Sequence, residues 1–264
     1  MVISPVSLVC NEKDKEVALS DLKEIIKHFP STSYQFHYFQ WQLPEGDNKK
    51  LMKRDEMAVI AVLKTKSVVF TDCYFGMPKN DRIAYLFHEV CHFHTYSSVS
   101  DSMRIWQELE NNRAEYWPNR HNPSKEQCAK ESYGYCLTMF NEQLADKAML
   151  EYCPDLLKIK MMEGANHYLE NIKQEPDLQY MLQVLLDADR CIELVKDIPE
   201  FEENVKERHK LRNEIIKQLK ADNDTELINL LIEYEGKMLE EIKKENAEEM
   251  ISVFNEFISK VILR

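Results

Sequence analysis

The residues with the clearest chemical meaning in this chain are 88–92, which read His-Glu-x-x-His. On a helix, residues four apart lie one turn apart on the same face, so both imidazoles can bind one metal ion. The pattern is typical of a zinc site in which the glutamate acts as a base on a zinc-activated water. We therefore expect His88 and His92 to be zinc ligands and Glu89 to be the catalytic base.

A catalytic zinc site needs a third protein ligand as well as one open position. In one known class this ligand is a histidine six residues after the second one, but that position here is Ser98. Another class uses a glutamate on the next helix, and a helix predicted over Met103–Trp117 offers Glu108, Glu110 and Glu115. Glu110 is favoured because it lies one turn from a tryptophan that anchors the helix. All three glutamates are also ordinary candidates for exposed surface carboxylates.

The segments around the motif predict a helix, a small sheet and a second helix. Helical spacing of apolar residues covers Asp14–His28, and the motif helix is expected from Asp81 to about Tyr96. Alternating or β-branched runs predict strands at Tyr34–Leu43, Met57–Leu63 and Ser67–Phe75, the last two as a hairpin. The apolar stripe of the motif helix is expected to pack on the sheet, which leaves its histidines on the wall of a cleft.

This order of elements resembles the ImmA/IrrE-like zinc metallopeptidases and, more broadly, the thermolysin-like glutamate zincins. The resemblance rests on the His-Glu-x-x-His helix and on a following Glu-x-Glu-x-Asn-Arg pattern at 108–113, and it covers about residues 14–118. It implies that His88, His92 and Glu110 hold the zinc and that Glu89 is the base. It also implies a regulatory protease with a single protein target.

The remainder of the chain predicts helix almost throughout. The expected helices are Lys125–Tyr152, Asp155–Asn171, Asp177–Lys196, Pro199–Lys220 and Thr225–Leu263, separated by proline or polar breaks. The last of them carries an apolar stripe with near-heptad spacing. Such a stripe is more often a core face, and the alternative is an interface with a second copy or a partner protein.

Composition limits the functional classes. The net charge of −12 disfavours a surface for nucleic acid or for anionic membranes. Seven cysteines, an odd number without Cys-x-x-Cys spacing, indicate reduced thiols in a cytoplasmic protein. No run of eighteen apolar residues occurs, so no membrane-spanning segment is expected.

Together these patterns predict an α+β fold class. A zincin-like domain over residues 1–122 is followed by an all-helical domain over 123–264. The predicted function is zinc-dependent hydrolysis of a peptide bond in a protein or peptide substrate. Two alternatives remain open: a catalytically inactive zincin-like scaffold that works through its helical half, and a zinc hydrolase that acts on a different bond.

Overall fold

The computed structural model describes residues 12–29, 58–62, 67–70, 72–98, 123–162, 178–222, 225–257 and 259–260. The chain divides into two compact units, which are described separately. The first comprises Met1–Val99 and Leu144–Lys160, and the second comprises Ser100–Gln143 and Met161–Arg264. The predicted domain boundary between residues 122 and 123 lies at the edge of a segment outside the described residues and stays a prediction.

The described elements of the first unit are short helices and a hairpin. Helix α1 spans Glu12–Ile25 and is followed by a 3-10 turn at Ile26–His28. Strands β1 (Val59–Val62) and β2 (Ser67–Phe70) precede helices α2 (Asp72–Gly76) and α3 (Lys79–Ser98). The long helix α4 (Pro123–Tyr152) contributes its C-terminal part to this unit, and α5 (154–162) follows it.

The predicted α+β class is wrong, because 90% of the described residues are helical. Strands β1 and β2 pair antiparallel, with Val59 opposite Phe70, but each has only four residues. Two strands of this length do not form a sheet layer that helices could cover. The hairpin of β1 and β2 instead packs against α3 through β1. The predicted strand Tyr34–Leu43 lies outside the described residues.

The second strand ends at Phe70 instead of continuing to Phe75, because residues from Asp72 onward form α2. This helix places the Tyr74 hydroxyl 3.0 Å from Oδ2 of the buried Asp21, to which it donates a hydrogen bond. Arg82 on α3 donates to the same oxygen from Nε at 2.5 Å. One carboxylate on α1 therefore fastens α2 and α3, and burial together with Asp21 raises the pKa of Tyr74.

Helix α3 is buried on more than one face. Its apolar stripe is buried as predicted, comprising Ile83, Leu86, Val90 and Phe93. His88 and His92 are also buried, at 2% and 4% exposure. The expectation that both histidines lie on the wall of a cleft stays a prediction. On this side of α3, Asp146 of α4 approaches His88, with its Oδ1 3.1 Å from Nδ1 of the ring.

The second unit is a helical bundle around one apolar core. Its described helices are the part of α4 up to Gln143, then α6 (Leu178–Val195), α7 (Glu202–Asp222), α8 (Thr225–Lys243) and α9 (Ala247–Phe257). A 3-10 turn at Pro199–Phe201 precedes α7. Apolar side chains from all five helices meet in the core, and α4 contributes Met139 and Phe140. The near-heptad stripe belongs to this core, since Leu231, Met238 and Phe254 are fully buried. Among the described residues, no helix has both the length and the apolar character that a membrane span requires.

The single long helix predicted over Thr225–Leu263 is wrong, because the chain breaks between α8 and α9. Glu245 adopts a positive φ of 55° there. Its amide donates to Ile242 O and the Asn246 amide donates to Glu241 O, which together form a Schellman motif. Asn246 then caps α9, because its Oδ1 accepts the Glu249 amide hydrogen at 3.2 Å.

Candidate metal centre

The two histidines of the motif lie side by side on α3. Their ring centroids are 4.6 Å apart and the ring planes cross at 80°. This is the arrangement that a spacing of four residues dictates on a helix. Both rings are buried, so their position is fixed by the packing around them.

A buried carboxylate from α4 contacts the first histidine. Asp146 has no exposed surface, and its Oδ1 lies 3.1 Å from Nδ1 of His88. The distance is that of a hydrogen bond but the angle is not, so Asp146 acts on the ring through its charge. A small rotation of the ring would let Nδ1–H donate to Asp146 and leave the lone pair on Nε2. The lone pair is what a metal ion requires. Lys160 on α5 places its Nζ 2.8 Å from the same Asp146 oxygen.

Glu142 supplies a carboxylate one turn before Asp146. It falls two residues outside the first unit, and the unbroken helix α4 fixes its place relative to Asp146. The ligand atoms of His88, His92 and Glu142 all lie within 4.8 Å of one another. Tetrahedral zinc with bonds of 2.0–2.2 Å holds its ligands about 3.4 Å apart. Small side-chain movements would therefore close these three groups around an ion. Two neutral imidazoles and one carboxylate form a donor set that suits catalytic zinc.

The motif glutamate contacts the hairpin. Oε2 of Glu89 accepts a hydrogen bond from the backbone amide of Ala61 at 2.6 Å. Since this amide points toward α3, it does not serve the ladder between β1 and β2. The half-buried Glu89 carboxylate is thereby held beside the edge of β1.

Cys91 lies inside the motif and is fully buried. Burial, with the charge of Asp146 as a lesser cause, holds the pKa of the thiol well above its usual range. A thiol in this state is a weak metal ligand, because the thiolate is the form that binds metal.

The predicted site residues fall into two groups. The structure brings His88 and His92 together, while the carboxylate of Glu89 accepts the backbone amide of Ala61 in the hairpin. The predicted third ligand, Glu110, and its alternatives, Glu108 and Glu115, lie outside the described residues. Their role therefore stays a prediction.

Sequence reasoning missed Glu142, Asp146 and Lys160. One signal was present, because Glu142 and Asp146 have the same spacing of four residues as the two histidines. Two carboxylates one turn apart on a predicted helix are the natural counterpart of two imidazoles one turn apart. Comparison of the chain with models of protein families, with curated proteins and with solved structures finds no match.

Proposed function

We propose that this protein is a zinc-dependent peptidase that cleaves a protein or peptide substrate. The observation that carries the proposal is the convergence of the His88, His92 and Glu142 ligand atoms, with Glu89 next to His88 on the same helix. The two histidines alone, without an acidic third ligand, would be a weak argument for a metal site. Here Glu142 brings a carboxylate near both imidazoles, and Asp146 lies 3.1 Å from His88.

His88, His92 and Glu142 would hold the ion, which supplies a water of pKa about 7 and a Lewis acid for the substrate carbonyl. Glu89 accepts the proton of the attacking water and passes it to the leaving amine. The amide of Ala61 restrains the Glu89 carboxylate through Oε2. Asp146 orients the His88 ring, so its contribution is indirect.

The third ligand is the first point to test, because Glu142 from the structure and Glu110 from the sequence make separate predictions. We expect purified protein to bind about one zinc ion per chain. Glu142→Gln should weaken zinc affinity strongly, while Glu110→Gln should leave it unchanged. Glu151→Gln, an exposed position on the same helix α4, is the matched control. Normal affinity in Glu142→Gln with loss in Glu110→Gln would reassign the ligand. Wild-type protein without zinc affinity would reject the proposal.

The role of Glu89 is tested by separating metal binding from turnover. Glu89→Gln keeps the size of the side chain but cannot accept a proton, so zinc should remain bound while cleavage is lost. Removal of a general base typically costs about 10²- to 10⁴-fold in rate. The measurement is cleavage of a peptide library at matched zinc occupancy. Cleavage at the wild-type rate in Glu89→Gln rejects this mechanism.

A second candidate function is a metal-stabilised scaffold without catalysis. The short hydrogen bond from Ala61 to Glu89 favours it, because a carboxylate held by a backbone amide has a structural use already. This candidate predicts that no peptide or ester in a broad screen is cleaved. It also predicts that Glu89→Ala, which removes the acceptor of the Ala61 amide, lowers stability by about 1–3 kcal/mol. Glu89→Gln should keep most of this stability, because its amide oxygen still accepts a hydrogen bond.

The remaining parts of the proposal come from composition. The thiol pattern supports a cytoplasmic location, and the acidic balance argues against nucleic acid and anionic membranes as partners. Pairing through the C-terminal helices, with a second copy or another protein, would have to use surfaces other than the buried stripe. Sedimentation of the wild-type chain over a range of concentrations tests this.

A further inference from the structure

The carboxylate of Asp146 is shared between two partners of different chemistry. Its Oδ1 lies 3.1 Å from Nδ1 of His88 and 2.8 Å from Nζ of Lys160. All three groups belong to the first unit, and Asp146 is fully buried. The Lys160 side chain is only 15% exposed, unlike most lysines in folded proteins.

A buried lysine needs a reason, because removing an ammonium group from water costs several kcal/mol per ion. Lys160 gains an oxygen at 2.8 Å, and Asp146 gains a countercharge that His88 supplies only when protonated. Lys160 supplies a positive charge to Asp146 that does not depend on the state of the His88 ring.

The contact between Lys160 and Asp146 also bears on which carboxylate of α4 would bind the metal ion. Glu142 and Asp146 are both carboxylates, one turn apart, and carboxylates of either length bind zinc. An oxygen that is occupied by an ammonium group is less available to a metal ion. The oxygen of Asp146 nearest His88 is the one that Lys160 contacts.

We propose that Lys160 is a positioning residue of the metal centre, which holds Asp146 against Nδ1 of His88 and keeps that carboxylate from binding the metal. This inference rests on the proposed metal site. It assigns separate roles to two similar carboxylates, with Glu142 toward the ion and Asp146 toward the imidazole. The lysine acts through Asp146 and touches neither substrate nor metal.

The experiment uses the full chain with zinc and cobalt(II) as the probes. Lys160→Met should weaken zinc affinity about 10- to 100-fold, as is typical when a group behind a metal ligand is removed. It should also change the visible absorption spectrum of the cobalt-loaded protein, because Asp146 is then free to enter the coordination sphere. Lys160→Arg should restore both, since a guanidinium can reach the same carboxylate.

Lys158→Met is the matched control, because Lys158 is on the same helix and pairs with the exposed Asp155 at 3.0 Å. It should leave affinity and spectrum unchanged. A merely structural role for Lys160 would lower the melting temperature of Lys160→Met without changing the cobalt spectrum, and that result overturns the inference. If Lys160→Met does not fold, Asp146→Asn serves, and wild-type affinity with a wild-type cobalt spectrum there overturns it too.

Failure of this inference is distinguishable from failure of the proposed function. Wild-type protein that binds no zinc overturns both. Wild-type protein that binds zinc, with Lys160→Met equal to it in affinity and in cobalt spectrum, overturns only the role of Lys160.

Discussion

Glu235 in the second unit should make the stability of that unit depend on pH. This residue on α8 is only 2% exposed, and its Oε2 lies 3.5 Å from Nη2 of Arg212 on α7. Arg212 directs its Nε to Asp189 on α6 at 2.7 Å. Among the described residues, Oε1 of Glu235 has no hydrogen-bond partner. One guanidinium therefore serves two carboxylates, and one of them is buried.

This arrangement favours the protonated form of Glu235. Burial, followed by the hydrogen bond to Asp189 and its charge, raises the pKa of Glu235 to about 8, although Arg212 opposes the shift. A raised pKa in the folded state means that the folded chain holds a proton which the unfolded chain has released. This contribution to stability is complete below the ordinary glutamate pKa. It is lost as pH rises through about 8.

The size of the pH dependence follows from the one proton that Glu235 holds in the folded state. The free energy of unfolding should fall by about 1.4 kcal/mol per pH unit between the two pKa values. From pH 6 to pH 9 the loss amounts to at most about 3 kcal/mol. Glu235→Gln imitates the neutral acid, so it should remove this slope. The variant should equal wild type below the ordinary glutamate pKa, and its advantage in stability should grow as pH rises from 6 to 9.

Hydrogen exchange of peptides from α6, α7 and α8, compared between variants at each pH, measures the effect in this unit alone. Glu233→Gln is the control, because Glu233 is exposed on the same helix and pairs with Lys237 at 2.6 Å. It should change protection by no more than a surface ion pair does, about 0–1 kcal/mol, without a new pH slope. The reasoning is refuted if wild type and Glu235→Gln lose protection in parallel between pH 6 and pH 9.

Two further predictions concern local structure. Tyr74→Phe removes the hydroxyl that donates to Asp21. It should lower the free energy of unfolding of the first unit by about 1.5–3 kcal/mol, as measured by urea unfolding. A loss as small as that of the exposed control Lys13→Met would contradict the role of this contact. Glu245→Gly relieves the strain of a positive φ, so it should raise the melting temperature and add up to about 1 kcal/mol to the free energy of unfolding. Glu233→Gly, inside α8, should instead lower the free energy of unfolding by about 1 kcal/mol. Equal destabilisation by both glycines would show that the turn stores no strain.

The helices of the second unit could be predicted closely from the sequence. The helix expected over Asp177–Lys196 is observed as Leu178–Val195. Prolines and polar clusters mark where such helices end, and the apolar period marks the buried face. Both signals are local, so a single sequence contains them.

The sequence predictions fail where contacts between distant residues decide the local structure. β-branched and aromatic residues predict a single strand over 67–75, but the Tyr74 hydroxyl bonds Asp21 and the chain forms α2 from Asp72 onward. The break at Glu245 was missed for a different reason. A non-glycine residue with positive φ gives little warning, although Asn246 followed by Glu249 has the spacing of a helix cap.

The candidate site also has a part that the local sequence predicts and a part that depends on contacts between distant residues. His88, Glu89 and His92 belong to one helical turn, so their spacing alone predicts a shared face. Their carboxylate partners come from α4, and no rule of spacing connects the two helices. In the proposed site the two carboxylates of α4 have different partners. Glu142 has the longer side chain and reaches the ligand atoms, while Asp146 is held by Lys160 at His88. Exchanging the two acids should therefore impair metal binding even though charge and composition are conserved.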